Sequence, residues 1–441
     1  MRNTRTFRAL GVALVVLMAT VAAACGRSDD NNTGSSGGGS NGSTPGGGSD
    51  GTAAPPQPGP GFDGTTIKLG VITPTTGSAA IIGNPLTAGN QVYFDAINAK
   101  GGIGGKYKVQ LEVLDSKYEP PTAVQQYQAS KANVAMYVQI LGTGVVDAIS
   151  PQLETDEMLA GPASLDSFWV RNPNLMPIGA TYQIQVVNGM DYAIRNLNAK
   201  DKKICALTKE DPYGEAGLAG LEYAAEQMDF TVSSKATFKQ GDTEFTAQIN
   251  QLQSDGCEMV LFVALPTETS PVMTAASGRG FAPQWLAQSP TWLPAFGTAE
   301  SPLASYLQAN FLLLSQGPQW GDTSVEGMQQ LLDDIAEFKP DQKPDPYFAF
   351  GYGQAWAAAQ ILEEAVANGD LSPAGILKAS TEIETLTFGG LFGDYTYGAV
   401  EDRNPPRSST VFGVDPSVPG GLKALETNFT SQAAEDYELE E

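Results

Sequence analysis

Histidine is absent from the 441-residue chain. That one absence removes Ser-His-Asp and Cys-His nucleophilic chemistry and every zinc site that needs an imidazole. Positive charge is scarce as well: 25 Lys and Arg stand against 49 Asp and Glu, a formal net charge of -24. Nucleic acid and anionic membrane surfaces are therefore poor partners for the folded chain. No loop carries the Asp, Asn, Gly and Glu spacing of a calcium site, and no predicted strand runs into a helix through a G-x-S-x-G elbow or a nucleotide fingerprint. The cluster GGIGGK at 101–106 follows a predicted helix instead of a strand, so it reads as a sharp connection and not as a phosphate loop. Neither a metal nor a cofactor is expected, and nothing in the pattern indicates an enzyme.

What is present begins with an address. Arg2, Arg5 and Arg8 precede an apolar run over 10–24 that ends in three alanines and Cys25. A basic start, a short apolar stretch and small residues read as an export signal over 1–24. The cysteine directly after the alanines resembles a bacterial lipoprotein signal, with Cys25 as the lipidated mature N-terminus, although Ala22 stands where leucine is usual. The implied location is the outer face of the bacterial cytoplasmic membrane, held there through the lipid alone. Residues 25–62, rich in Gly, Ser, Asn and Pro, read as a flexible tether reaching roughly 30–36 Å.

The remainder alternates strand and helix. Predicted strands fall at 67–72, 107–115, 135–140 and 158–160, each running into a loop of Gly, Thr, Ser or Pro. A second series follows, with strands at 203–208, 231–237, 259–264, 285–287 and 311–314 and helices between them. Helices are expected near 86–98, 145–155, 184–197, 324–338 and 352–368, late short strands at 386–390 and 408–414, and an acidic, polar tail from 426. Such repetition predicts parallel sheets whose carboxyl edges gather the loops into a site. Cys205 lies in the first strand of the second series and Cys257 just ahead of the third. In an exported protein they read as a disulfide on the edge away from the ligand loops, with two buried thiols as the alternative.

The ordered stretch IKLGVITPTTGSAAIIGNPLTAGNQVYFDAINAKGGIGGKYKVQLEVLDSKYEPPTAVQQ resembles the periplasmic-binding type 1 superfamily, in its branch of Leu/Ile/Val-binding and amide-binding receptors. ILGTG, LAGPAS, KEDPYGEAGLAGLE and YFAFGYGQAWAAAQILEEA extend the likeness. The resemblance implies an α/β fold of two Rossmann-like lobes with open parallel sheets, joined by three crossovers, and a ligand cleft between them. It divides the chain into lobe one at 63–183 and 314–380 and lobe two at 184–313 and 381–441. It also implies a monomer that passes a small-molecule solute, amino-acid-like or an aromatic or polar carboxylate or amide, to an ABC permease; a sensor signalling through a membrane partner is the alternative.

Carried over residue by residue, the resemblance places Thr143 with Gly144, and Ala163 with Ser164, at the ligand carboxylate. Thr75, Thr76, Gly77, Ser78 and Tyr118 line the side-chain end, while Tyr213, Thr267, Gln288 and Ser289 face them from lobe two. Phe168, Trp292 and Tyr352 offer further stacking surface. Amino-acid binders carry a glutamate for the ammonium group where this chain has Gln288 and Ser289, which speaks against an ordinary α-amino acid unless Glu210, Asp211 or Glu268 turns inward.

Overall fold

The computed structural model describes residues 55–439. The export signal, Cys25 and most of the tether lie outside the described residues. Phe62 is buried and meets Tyr107 edge-to-face at 5.1 Å between ring centroids.

Strands β1 (Thr66–Thr73), β2 (Lys108–Asp115), β3 (Met136–Leu141) and β4 (Ala160–Ala163) form one parallel sheet in the order β2-β1-β3-β4. MYVQIL of β3 is buried at all six positions, as expected for an inner strand covered on both faces. The helix Ala80–Ala99 starts earlier than its predicted bound and runs through Pro85, because Ile82 and Leu86 are both buried on its cleft side.

The second sheet takes β5 (Ile204–Lys209), β6 (Val232–Phe238), β7 (Met259–Val263), β8 (Gln284–Gln288) and β9 (Phe311–Ser315) in parallel. A small hairpin, β10 (Thr385–Leu386) with β11 (Tyr395–Thr396), precedes β12 (Ser409–Val414) and β13 (Leu422–Phe429). The seven strands run β13-β12-β9-β8-β7-β5-β6, and β12 and β13 add antiparallel to the edge. The tail read as polar is thus a strand over its first residues: LKALETNF alternates half-buried and exposed positions, the mark of an outer strand with one wet face.

Each sheet has its own core. Ile67, Val71, Val138 and Ile140 pack with the helix Pro346–Ala367 in the first; Leu207, Val260, Phe262 and Trp285 belong to the second. The chain crosses between lobes between β4 and β5, after β9, and again before β12. The expected return to lobe two at 381 differs from the packing: Leu386, Phe388, Leu391, Phe392, Tyr395 and Tyr397 all belong to the first lobe's core. These apolar side chains hold the chain there until it reaches Ser409. The crossings are tied to each other, since Ala180 N donates to Gln316 Oε1 at 2.6 Å and Thr410 Oγ1 to Gly317 O at 2.8 Å.

Cys205 and Cys257 form a disulfide with Cα atoms 5.9 Å apart, at the amino ends of neighbouring β5 and β7. Among the described residues no helix is long and apolar enough to cross a membrane.

Candidate functional site

At the carboxyl edge of the first sheet, β3 ends in Gly142 and the helix Thr143–Thr155 begins at once. No side chain caps that helix, so its leading N–H groups remain available to an acceptor. Thr143 Oγ1 lies 2.8 Å from Ser164 Oγ, and the Trp169 indole donates to the same Ser164 oxygen at 2.9 Å. The Tyr182 phenol also hydrogen-bonds the Ser164 side chain, so Thr143, Ser164, Trp169 and Tyr182 form one polar cluster. Thr143 and Ser164 are buried and both line the cleft cavity.

The facing wall comes from lobe two. Asp211 caps the helix Pro212–Met228 through Gly214 N at 3.0 Å and pairs with Lys209 at 2.9 Å. Glu268 accepts from Leu265 N at 3.0 Å at the start of the helix Pro266–Gly278, and burial raises its carboxyl while Lys209 opposes the shift. Both acids are therefore committed to helix ends and to one buried lysine. Gln288 is buried too, but it turns toward Gly217, where a Cβ would come within 2.5 Å of its Oε1. Its amide has no hydrogen-bond partner among the described residues.

The lobes meet over this site. Lys209 Nζ sits 4.8 Å from the ring centre of Tyr118, and Tyr347 Oη reaches the carbonyls of Pro290 and Trp292 at 2.9 and 2.8 Å. Tyr182 packs on Tyr213 with centroids 5.0 Å apart. Lys117 and Tyr118 both take positive φ, 54° and 62°, a strained pair that carries the Tyr118 ring inward to the mouth of Gly142.

Between the walls lies a cavity with about 160 Å³ open to water-sized molecules. Its lining combines the hydroxyls of Thr143, Ser164 and Tyr213 with the apolar side chains of Leu313, Trp320, Leu391, Phe392, Phe412 and Leu422. Asp345 supplies a carboxylate to the wall; its Oδ1 accepts from Tyr347 N at 2.8 Å and Phe348 N at 3.2 Å, and burial pushes it up to about 6.

Of the residues singled out from the sequence, Tyr118, Thr143, Ala163, Ser164, Tyr213 and Ser289 come together on this cavity. Thr75 and Thr76 do not reach it: Thr75 N and Thr76 Oγ1 bond Asp115 at 2.9 and 2.6 Å, and Thr76, Gly77 and Ser78 are exposed. Gly144 and Gln288 stand off the lining, and Thr267 points to solvent. Trp292 is core and bonds Gly420 O at 3.3 Å, Tyr352 is core and bonds Asp334, and Phe168 is exposed. Tyr182, Asp345 and the Leu391–Phe392 pair were not foreseen. They arrive through crossovers and helix starts whose only sequence signal is a Pro or a capping acid.

A family model described as "Periplasmic binding protein" matches residues 66–419, and the chain belongs to that family. Proteins of this family bind solutes without converting them. Among curated relatives, the Leu/Ile/Val-binding protein homolog 3 of Brucella melitensis is 28% identical over 202 residues, 44% of this chain and 54% of that protein, so the match spans about half the relative's length. An amino acid binding protein of Pseudomonas aeruginosa is 24% identical over 341 residues, covering 71% and 82% of the two chains. Among solved structures, a fatty acid ABC transporter substrate-binding protein from Thermomonospora curvata superposes with a TM-score of 0.81 at 26% identity, covering 87% of this chain and 97% of that one. A branched chain amino acid ABC transporter protein from Thermus thermophilus with bound valine shares the fold, with a TM-score of 0.70 at 16% identity and 84% and 98% coverage.

Proposed function

We propose that this chain is an extracytoplasmic solute receptor that captures an aliphatic carboxylic acid and delivers it to an ABC permease from a lipid anchor at Cys25. The carboxylate sits against Thr143, Ser164 and the start of the helix Thr143–Thr155, and the apolar tail runs toward Phe392 and Phe412. The observation that carries this reading is the cavity wall: a few hydroxyls and the open N–H groups of one helix start set in a lining dominated by Leu, Phe, Trp and Met side chains. The commitment of Asp211 and Glu268 to helix caps supports the same reading, because it leaves them poorly placed for an ammonium group. The likeness to the Thermomonospora curvata fatty acid receptor agrees with it.

Calorimetry on refolded, ligand-free protein with a series of straight-chain acids tests the proposal. Each added methylene should tighten binding about fourfold, from ~0.8 kcal/mol per buried CH₂, until the cavity is filled. Thr143→Val should weaken every member by about tenfold or more through loss of a hydrogen bond to a charged group. Tight binding of leucine or valine with no response to any acid in the series would overturn it.

A further inference from the structure

Away from the cleft, the hairpin and third crossover gather positive charge without a matching acid. Arg403 is 1% exposed, among the largest fully buried side chains of the protein. One guanidinium nitrogen, Nη1, donates to Asn172 O at 2.8 Å and Leu175 O at 3.0 Å, and the group lies 4.1 Å over the ring of Tyr397. Its other nitrogens, Nε and Nη2, have no acceptor among the described residues, and neither has the Tyr395 hydroxyl, which is fully buried. Tyr395 and Tyr397 meet edge-to-face at 5.9 Å, and the Arg403 charge acts on the Tyr395 phenol.

Two further arginines border this spot. Arg171 spends Nη1 on the carbonyls of Val400 and Arg403, at 2.8 and 2.7 Å, and Arg407 bonds Tyr437 O at 2.7 Å and Asn404 Oδ1. The charges of Arg171, Arg403 and Arg407 all act on the Tyr395 phenol. None of the three forms an ion pair among the described residues; Glu435, on the surface, acts on Arg407 from a distance. In a chain with nearly twice as many acids as bases, a buried guanidinium with two carbonyls and one ring face but no carboxylate is a conspicuous cost, several kcal/mol for an uncompensated charge.

We propose that Arg403 and Tyr395 hold a small monovalent anion of the chloride class, buried under the third crossover. The free groups are N–H and O–H donors, which suits a spherical anion that accepts from every side. A water there would accept the same bonds but would find few acceptors for its own two protons, and it would leave the charge uncompensated. The site lies between carbonyls of Asn172 and Leu175 before the first crossover and the segment from Tyr395 to Arg403 before the third, so the anion pins these two stretches of lobe one together. It is independent of the cleft ligand.

Crystals of the whole mature protein grown in sodium bromide test this by anomalous scattering, with thermal unfolding in chloride against gluconate at equal ionic strength. The expected result is a bromide peak in contact with Arg403 and Tyr395, together with a melting temperature several degrees higher in chloride. Arg403→Met should remove the chloride response, and Tyr395→Phe, which keeps the ring and its packing, should reduce it if the first variant does not fold. An ordered water with no anomalous signal overturns the proposal. A bromide peak without chloride-dependent stability in the wild type also overturns it, as an adventitious ion only.

Discussion

Asp345 decides more than its position in the sequence suggests. It begins the helix Pro346–Ala367 as a side-chain cap, and the same carboxylate forms part of the cavity wall. Burial raises it to about 6 from an ordinary 3.8. The folded state therefore holds this proton more tightly than the unfolded chain does, so the group's effect on stability is favourable at low pH and is lost as pH rises from about 4 to 6. Asp345→Asn, which retains a capping oxygen, should flatten the pH dependence of the melting temperature in that window and gain most over wild type above pH 6. It should also leave binding of an aliphatic acid intact or tighter at pH 7, since a like charge is gone; loss of all binding would instead assign Asp345 to an ammonium group. Thr143 and Ser164 were legible as ligand contacts only through the family resemblance, which placed them in the loops after the third and fourth strands. The role of Asp345 was not, since its approach to the cleft depends on a helix assigned to the other end of the chain.

Among elements, the turn between β3 and the helix Thr143–Thr155 is the most constrained part of the cleft. Gly142 has φ of 111°, and a Cβ there would stand 2.6 Å from Tyr118 Cε2. Gly142→Ala should therefore cost about 1–3 kcal/mol through backbone strain, and it should also displace Tyr118 from Lys209, weakening ligand binding beyond the loss of stability. Urea unfolding and calorimetry on the same variant separate the two effects. Periodicity located the inner strands well because full burial writes a continuous apolar run. It missed β13, whose polar side chains satisfy an exposed strand as readily as a loop, and the helix Pro373–Glu382, which is short and opens on Pro and Gly. The Thr75–Ser78 loop failed as a cavity wall for a local reason: Asp115 at the end of the adjacent strand takes its N–H and hydroxyl groups.

At the scale of the molecule, the disulfide sits on the sheet edge opposite the cleft and closes a loop of 52 residues. Chain entropy gives such a closure roughly 4 kcal/mol. Replacing Cys205 and Cys257 together by alanine should lower the guanidinium midpoint accordingly while leaving the ligand dissociation constant within about twofold, because β5 and β7 carry their ligand loops at their other ends. A large loss of affinity would mean that the two edges of lobe two are coupled.

The sequence by itself determined the alternation of strand and helix, the two sheets, the exclusion of imidazole chemistry and the family, since each depends on local periodicity, composition or a contiguous motif. Which residues form the cleft was decided only in three dimensions. Gln288 turns into the core, Asp211 and Glu268 are taken by helix ends, and the apolar wall is assembled from β9, β12 and the stretch around Phe392, segments far apart in the chain. Ligand chemistry follows from which polar groups remain unsatisfied after packing, and that remainder exists only once every neighbour is in place.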